Sequence, residues 1–199
     1  MTIELFVTDE PIDTDRSRQL ATRVLNELTT GDSAPDSTLA RARELTHVVV
    51  HQPQAWATGG PDVRVEPRYI VRVTVPGTWC SEGFADHVIP AITRAIGEID
   101  GDSQRLQDDP HCLVQVVGLR EGSFGTCGRV YSSADVTRMI SEDFRHSAAA
   151  AASGAVDPVC GMSIDPATAR FRLRHAGVDY VFCASVCRKV FAEDHGIVA

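Results

Sequence analysis

The sequence predicts an α/β (α+β) protein in which two β-α-β repeats form a four-stranded sheet with helices on one face, followed by a small hairpin-helix cysteine module. Three observations carry this. Strand-like and helix-like apolar periods alternate twice over the first 145 residues. A run of small residues, Ser147 to Ala155, comes next, and three of the six cysteines fall beyond it.

The first repeat opens with Ile3-Glu4-Leu5-Phe6-Val7, which alternates as a strand does. Thr14 to Leu28 places Leu20, Val24, Leu25 and Leu28 at helical spacing, and Val48-Val49-Val50 reads as the second strand. The pattern then recurs. Tyr69 to Val75 is a third strand, Phe84 to Ile99 carries Val88, Ile89, Ile92 and Ile96 at helical spacing, and Leu113 to Val117 is a fourth strand. Trp56-Ala57-Thr58-Gly59-Gly60 follows the second strand as Phe124-Gly125-Thr126-Cys127-Gly128 follows the fourth, an offset of about 68 residues.

A helical crossover within one sheet favours parallel pairing, so each repeat should contribute a parallel strand pair. With both helices on one face, the other face needs a cover, and a homo-oligomer, dimer or trimer, is the expected solution. A last helix, Ser133 to Phe144, either crosses that face or reaches a neighbour.

The chain has 199 residues, 43% of them hydrophobic, and a net charge of −8. A dispersed negative balance excludes a phosphate-backbone binder, so no nucleic-acid partner is expected. No apolar run approaches the roughly 18 to 20 residues of a membrane helix, and the chain opens on a strand rather than a leader. A cytoplasmic protein without membrane contact is expected. Lys189 is the only lysine among many arginines, which points to a GC-rich, bacterial genome.

The small-residue run marks a domain boundary, giving 1–145 as the repeat domain, 146–156 as an Ala-rich linker and 157–199 as the cysteine module. Alanine's helix propensity can stiffen that linker.

The repeat, the strand opening Pro67-Arg68-Tyr69-Ile70-Val71-Arg72-Val73 and the glycine-rich turn after the fourth strand together resemble the tautomerase superfamily over residues 2–130. That resemblance implies a tautomerase-like fold that assembles as trimers or hexamers. Tautomerases use an N-terminal proline as general base, because a secondary amine of lowered pKa suits that role. Here residue 2 is Thr, and Pro67 is internal, where its nitrogen is an amide without basicity. Family-type catalysis is therefore not expected.

In a reducing cytosol, clustered cysteines point to metal or redox chemistry. Cys160-Gly161 can form a tight turn, Ala169 to His175 and Val178 to Phe182 flank Ala176-Gly177 as a hairpin, and Ala184 to Glu193 reads as a short helix. Cys183, at the edge of that helix, and Cys187, within its first turn, are four apart and so can point the same way, and Cys160 closes a triangle. A segment this short has little core of its own, so a bound metal would contribute to its folding. Three thiolates suit Zn²⁺ or Cu⁺, with Hg²⁺ a further candidate. A fourth ligand is His175, His195 or Asp157, or the position is open to water or a partner thiol. Asp157-Pro158-Val159-Cys160-Gly161-Met162, then Tyr180-Val181-Phe182-Cys183-Ala184-Ser185-Val186-Cys187 and Phe191, resemble the YHS domain, a heavy-metal-associated cysteine module, with Val181 departing from its usual aromatic pair.

Cys80 and Cys127 follow the third and fourth strands, at what would be the C-terminal edge of the sheet, with His51 or His87 as companions. They are the catalytic candidates, as nucleophile or base, if the chain is an enzyme rather than a binding protein. Trp56, Trp79 and Phe124 either line a pocket or cap the core, and Arg68, Arg72, Arg120 and Arg129 either hold a carboxylate or lie solvated. The expected function is binding of a thiophilic metal ion, for handling, sensing or resistance, on an oligomeric platform. The alternative is a tautomerase-superfamily enzyme with a non-proline site at the sheet edge.

Overall fold

The structure is a computed structural model that describes residues 1–8, 13–31, 34–59, 66–80, 83–146 and 155–197. In chain order the elements are β1 (Thr2–Val7), α1 (Thr14–Thr29), α2 (Asp36–Glu44), β2 (His47–His51), β3 (Tyr69–Pro76), a 3₁₀ turn (Gly77–Cys80), α3 (Phe84–Asp100), α4 (Arg105–Asp108), β4 (Cys112–Leu119), β5 (Phe124–Thr126), β6 (Arg129–Tyr131), α5 (Ser133–Arg145), β7 (Phe171–His175), β8 (Val178–Phe182) and α6 (Ser185–Asp194). The strands and helices read from apolar periodicity are all present. The Ala-rich linker lies mostly outside the described residues, as does Gly60.

By contacts the chain forms two compact units. One comprises Met1–Thr29, Thr46–Val75 and Gly83–Val117, and the other Thr30–Leu45, Pro76–Glu82 and Gly118–Ala199.

The first unit is built on the four-stranded sheet, ordered β2-β1-β3-β4. β1 and β2 pair in parallel, Ile3 opposite Val48 and Leu5 opposite Val50, as a helical crossover requires. The two repeats meet in an antiparallel pair, with Ile3 opposite Val73 and Leu5 opposite Val71. Alternation then sorts the faces. Ile3, Leu5, Val7, Val71, Val73 and Val75 are completely buried, and so are Leu20 and Val24 of α1 and Ile92 and Ile96 of α3. Each such side chain contributes about 1.5–3 kcal/mol. On the opposite face Val49 (42% exposed), Leu113 (50%) and Val117 (39%) remain open.

The second unit gathers α2, the 3₁₀ turn, the β5–β6 hairpin, α5 and the whole cysteine segment. α5 packs against α2 and α6. Its first turn is fixed by a capping box in which Ser132 Oγ accepts from the Asp135 N–H and the Asp135 carboxylate accepts from the Ser132 N–H. Both hairpins use two-residue turns with positive φ at each position, Cys127 (51°) and Gly128 (71°) in one, Ala176 (49°) and Gly177 (82°) in the other. These values match type I′ turns, whose twist agrees with that of the strands. The elements not foreseen are α2, the 3₁₀ turn, α4 and the β5–β6 hairpin. All are short, so their apolar periods have little length in which to show.

Among the described residues no helix is long and apolar enough to cross a membrane.

Candidate metal centre

The centre begins with the turn Asp157 to Met162. The Gly161 N–H donates to the Asp157 carbonyl and the Asp157 N–H donates to the Met162 carbonyl, both at 2.9 Å, which closes the loop on itself. Gly161 sits at φ +77°, and a Cβ there would overlap Pro35 Cγ and lie 2.8 Å from Phe144 Cε2. Only glycine fits both the conformation and the space. The Thr38 hydroxyl donates to the Cys160 carbonyl at 3.0 Å. Thus α2 and α5 clamp the turn from outside the cysteine segment.

Asp157 is fully buried and organises the site. Its Oδ1 accepts from the Val159 N–H at 2.8 Å and the Cys160 N–H at 3.3 Å, while its Oδ2 accepts from the Cys183 N–H at 2.8 Å. One carboxylate therefore fixes two distant cysteine backbones. Burial, helped by charge on Cys160, pushes its pKa up to about 7.

Hairpin β7–β8 delivers Cys183 to the end of its second strand, and Cys187 follows in the first turn of α6. Cys183 Sγ lies 3.6 Å from Cys160 Sγ and 3.6 Å from Cys187 Sγ. The three sulfurs and a carboxylate oxygen of Asp157 all fall within 4.8 Å of one another. Three thiolates around a tetrahedral Zn²⁺, with Zn–S about 2.3 Å, would stand about 3.8 Å apart, so the observed spacing needs little adjustment.

The electrostatics favour a cation. Hydrogen bonds from Cys183 and Cys187 hold the Cys160 thiol well below its ordinary range despite burial. The contact with Cys160, with burial, pushes Cys183 and Cys187 well above it. One proton leaves readily and the next two resist, because three thiolates in a buried site repel unless a positive ion joins them.

The surroundings are apolar. Val159, Phe171, Phe182, Val186, Val190 and Phe191 form the core around Cys160 and Cys187, with Ala134 of α5 buried among them and Trp79 of the 3₁₀ turn packed alongside. The cysteine segment thus shares a core with earlier parts of the chain. Sequence reading missed Pro35, Thr38, Trp79, Ala134 and Phe144 as members of the site. Thr38 is 122 residues from Cys160, and no local pattern marks it.

His175 and His195 are placed together rather than with the sulfurs. Their ring centroids are 5.3 Å apart, and His195 stacks on Phe191 at 4.0 Å. The His195 Nδ1–H donates to the Phe191 carbonyl at 2.8 Å. Among the described residues the cluster that can hold a metal takes in Asp157 and neither histidine. Both Asp157 oxygens already accept backbone bonds, which favours an organising role over ligation.

The remaining candidates are dispersed. Cys80 ends the 3₁₀ turn and packs against Gly118, and burial raises its pKa. Cys127 is exposed at the tip of β5–β6, while Cys112 is pushed up to about 11 by burial. His87 is exposed on α3, and His51 stacks on Phe6 at 4.7 Å. Arg72, Arg120 and Arg129 are exposed.

Arg68 differs. It is 7% exposed and borders a cleft of about 300 Å³ in the first unit, lined also by Trp56, Tyr69, His111 and Leu113. Among the described residues its Nε has no hydrogen-bond partner, and its guanidinium lies 3.7 Å from the Glu66 carboxylate. Behind it Arg105 donates to His111 Nδ1 at 2.7 Å and to Asp100 Oδ2 at 2.5 Å, and the Tyr69 hydroxyl donates to Asp100 Oδ1 at 2.6 Å. Because His111 Nδ1 accepts, its proton is on Nε2, facing Glu66 at 3.7 Å.

No protein-family model matches the chain, and no curated protein matches it significantly. Solved structures similar to it include a macrophage migration inhibitory factor of Toxoplasma gondii, at 11% identity over 66% of this chain and 100% of that one, TM-score 0.49. The protein Pt0534, solved after inactivation by 2-oxo-3-pentynoate, shows 16% identity over 67% and 96%, TM-score 0.49. A fused 4-OT described as an asymmetric trimer shows 14% identity over 65% and 95%, TM-score 0.49.

Proposed function

We propose that this chain binds one thiophilic metal ion through Cys160, Cys183 and Cys187, and that its role is metal handling, in capture, sensing or resistance. The observation that carries this is the pair of 3.6 Å sulfur contacts converging on Cys183 in an apolar pocket. Zn²⁺ and Cu⁺ are the proposed ions and Hg²⁺ a third, since soft cations match a thiolate set. The fourth position goes to water or an incoming thiol, because Asp157 is committed to backbone bonds and the histidines pack on Phe191. An open position allows exchange, which handling requires and a closed structural site lacks. The motif likeness to the YHS domain agrees with this reading.

Competition titration of reduced protein with Zn²⁺ and Cu⁺ is the test. One ion per chain is expected, with affinity falling at least tenfold in each single Cys→Ser variant and little changed in His175→Ala or His195→Ala. Uptake unaltered by the cysteine changes would refute the assignment.

A homo-oligomer is proposed as the setting, supported by the exposed Val49, Leu113 and Val117 on the sheet face opposite its buried core. A second reading, an activity in the sheet unit, is favoured by one observation, the buried Arg68 Nε at the cleft, which has no partner among the described residues. Arginine in such a place suits a small carboxylate. Saturable binding of a small unsaturated carboxylate, lost in Arg68→Ala, would support it, and equal binding by both proteins would remove it.

A further inference from the structure

We propose that the three clustered thiols form a two-electron redox couple in which Cys183 is the shared partner, so that oxidation ejects the metal ion. The disulfide chemistry rests on the geometry alone, and the metal release rests on the function proposed above.

Cys183 touches both other sulfurs at 3.6 Å. It is half-buried, whereas Cys160 and Cys187 are 8% and 3% exposed, so the part of the cluster nearest solvent is at Cys183. Its backbone and that of Cys160 are tied to the same Asp157 carboxylate, which holds them at bonding range. Closing a disulfide requires the sulfurs to approach from 3.6 Å to about 2.05 Å, a movement that side-chain rotation can supply.

The oxidant is a hydroperoxide. In either touching pair, one sulfur attacks the terminal oxygen, an S–O bond forms, the O–O bond breaks, and the alkoxide or hydroxide leaves with the thiol proton as alcohol or water. The other sulfur of that pair then attacks the sulfenic sulfur. An S–S bond forms, the S–OH bond breaks, and hydroxide departs with the second thiol proton as water. Two thiols lose two electrons, and the peroxide gains them. One thiol of the three remains, too few to retain a thiophilic ion.

Peptide mapping of the full, metal-free chain after a few equivalents of hydrogen peroxide and alkylation is the test. The expected bridges join Cys183 to Cys160 or to Cys187, form in Cys187→Ser as a Cys160–Cys183 link, are absent in Cys183→Ser, and are reversed by dithiothreitol. A Cys160–Cys187 bridge in the wild type, a bridge to Cys80, Cys112 or Cys127, or sulfinic acid with no bridge would overturn the proposal. In parallel, Zn²⁺ per chain after desalting should fall from about one to near zero on oxidation and return on reduction. Reduced protein that takes up no Zn²⁺ yet forms the Cys183 bridges would refute the metal reading and leave the redox couple standing.

Discussion

Replacing Gly161 with Ala tests how the turn and its clamp make the site. Gly161 holds φ +77°, and an L-residue there costs about 1–2 kcal/mol. The new Cβ would stand 2.6 Å from Pro35 Cδ and 2.8 Å from Phe144 Cε2, where 3.4–4 Å is ordinary contact. Neither neighbour yields easily. Pro35 is a rigid ring at the start of α2, and Phe144 is 5% exposed on α5. Overpacking of this kind adds about 1–3 kcal/mol. The expected loss is about 2–5 kcal/mol, a large share of the ~5–15 kcal/mol that holds a domain together.

Gly177 supplies an internal control, since it has φ +82° and nothing within 4 Å of its would-be Cβ. Gly177→Ala should cost only the conformational part, about 1–2 kcal/mol. Urea denaturation, followed through the fluorescence of Trp79 beside the cysteine core, measures both. Asparagine tolerates positive φ better than alanine, so if the clash dominates, Gly161→Asn should be no milder than Gly161→Ala. Equal costs for Gly161→Ala and Gly177→Ala would refute the clamp by Pro35 and Phe144.

Asp157 gives a pH prediction. Its folded pKa of about 7 stands above its usual 3.8, so folding takes up a proton, and the associated stability is full below about pH 4 and lost as pH rises through 7. Cys160, held low, contributes the opposite slope, so wild type is compared with Asp157→Asn. In metal-free protein the variant should gain stability relative to wild type between pH 5 and 8, and a constant or widening deficit in urea midpoints would contradict the assignment. Thiol labelling at pH 8 should modify exposed Cys127 quickly and Cys112 slowly, since burial raises Cys112 to about 11. Mass spectrometry showing Cys112 to be the faster of the two would contradict that ordering.

Much of the fold was legible because its long elements carry period. Ile3, Leu5 and Val7 alternate with Glu4 and Phe6, and Val88, Ile92 and Ile96 recur every fourth residue, so burial could be read directly. Ala176-Gly177 also announced its hairpin. The equivalent Cys127-Gly128 did not, since cysteine is not a typical residue at positive φ and the flanking strands have three residues each. Antiparallel joining of the repeats through β1 and β3 left no mark in either strand, because pairing partners share a face whichever way they run.

The candidate site was half legible. Spacing brought Cys183 and Cys187 together, although Cys183 sits between β8 and α6 rather than on the helix face, and the turn at Cys160-Gly161 explained a third sulfur nearby. The role of Asp157 was not legible. A carboxylate bonding three backbone N–H groups looks, in sequence, the same as one held ready as a ligand. The clamp was invisible as well, because Pro35, Thr38 and Phe144 meet the turn only through tertiary packing.

The most direct measurement of the central claim is X-ray absorption at the zinc edge of protein loaded with one Zn²⁺ per chain. The account predicts a first shell with three sulfurs at about 2.3 Å and one lighter oxygen or nitrogen donor, reduced to two sulfurs in Cys183→Ser. A shell of oxygen and nitrogen alone, unchanged in that variant, would contradict it.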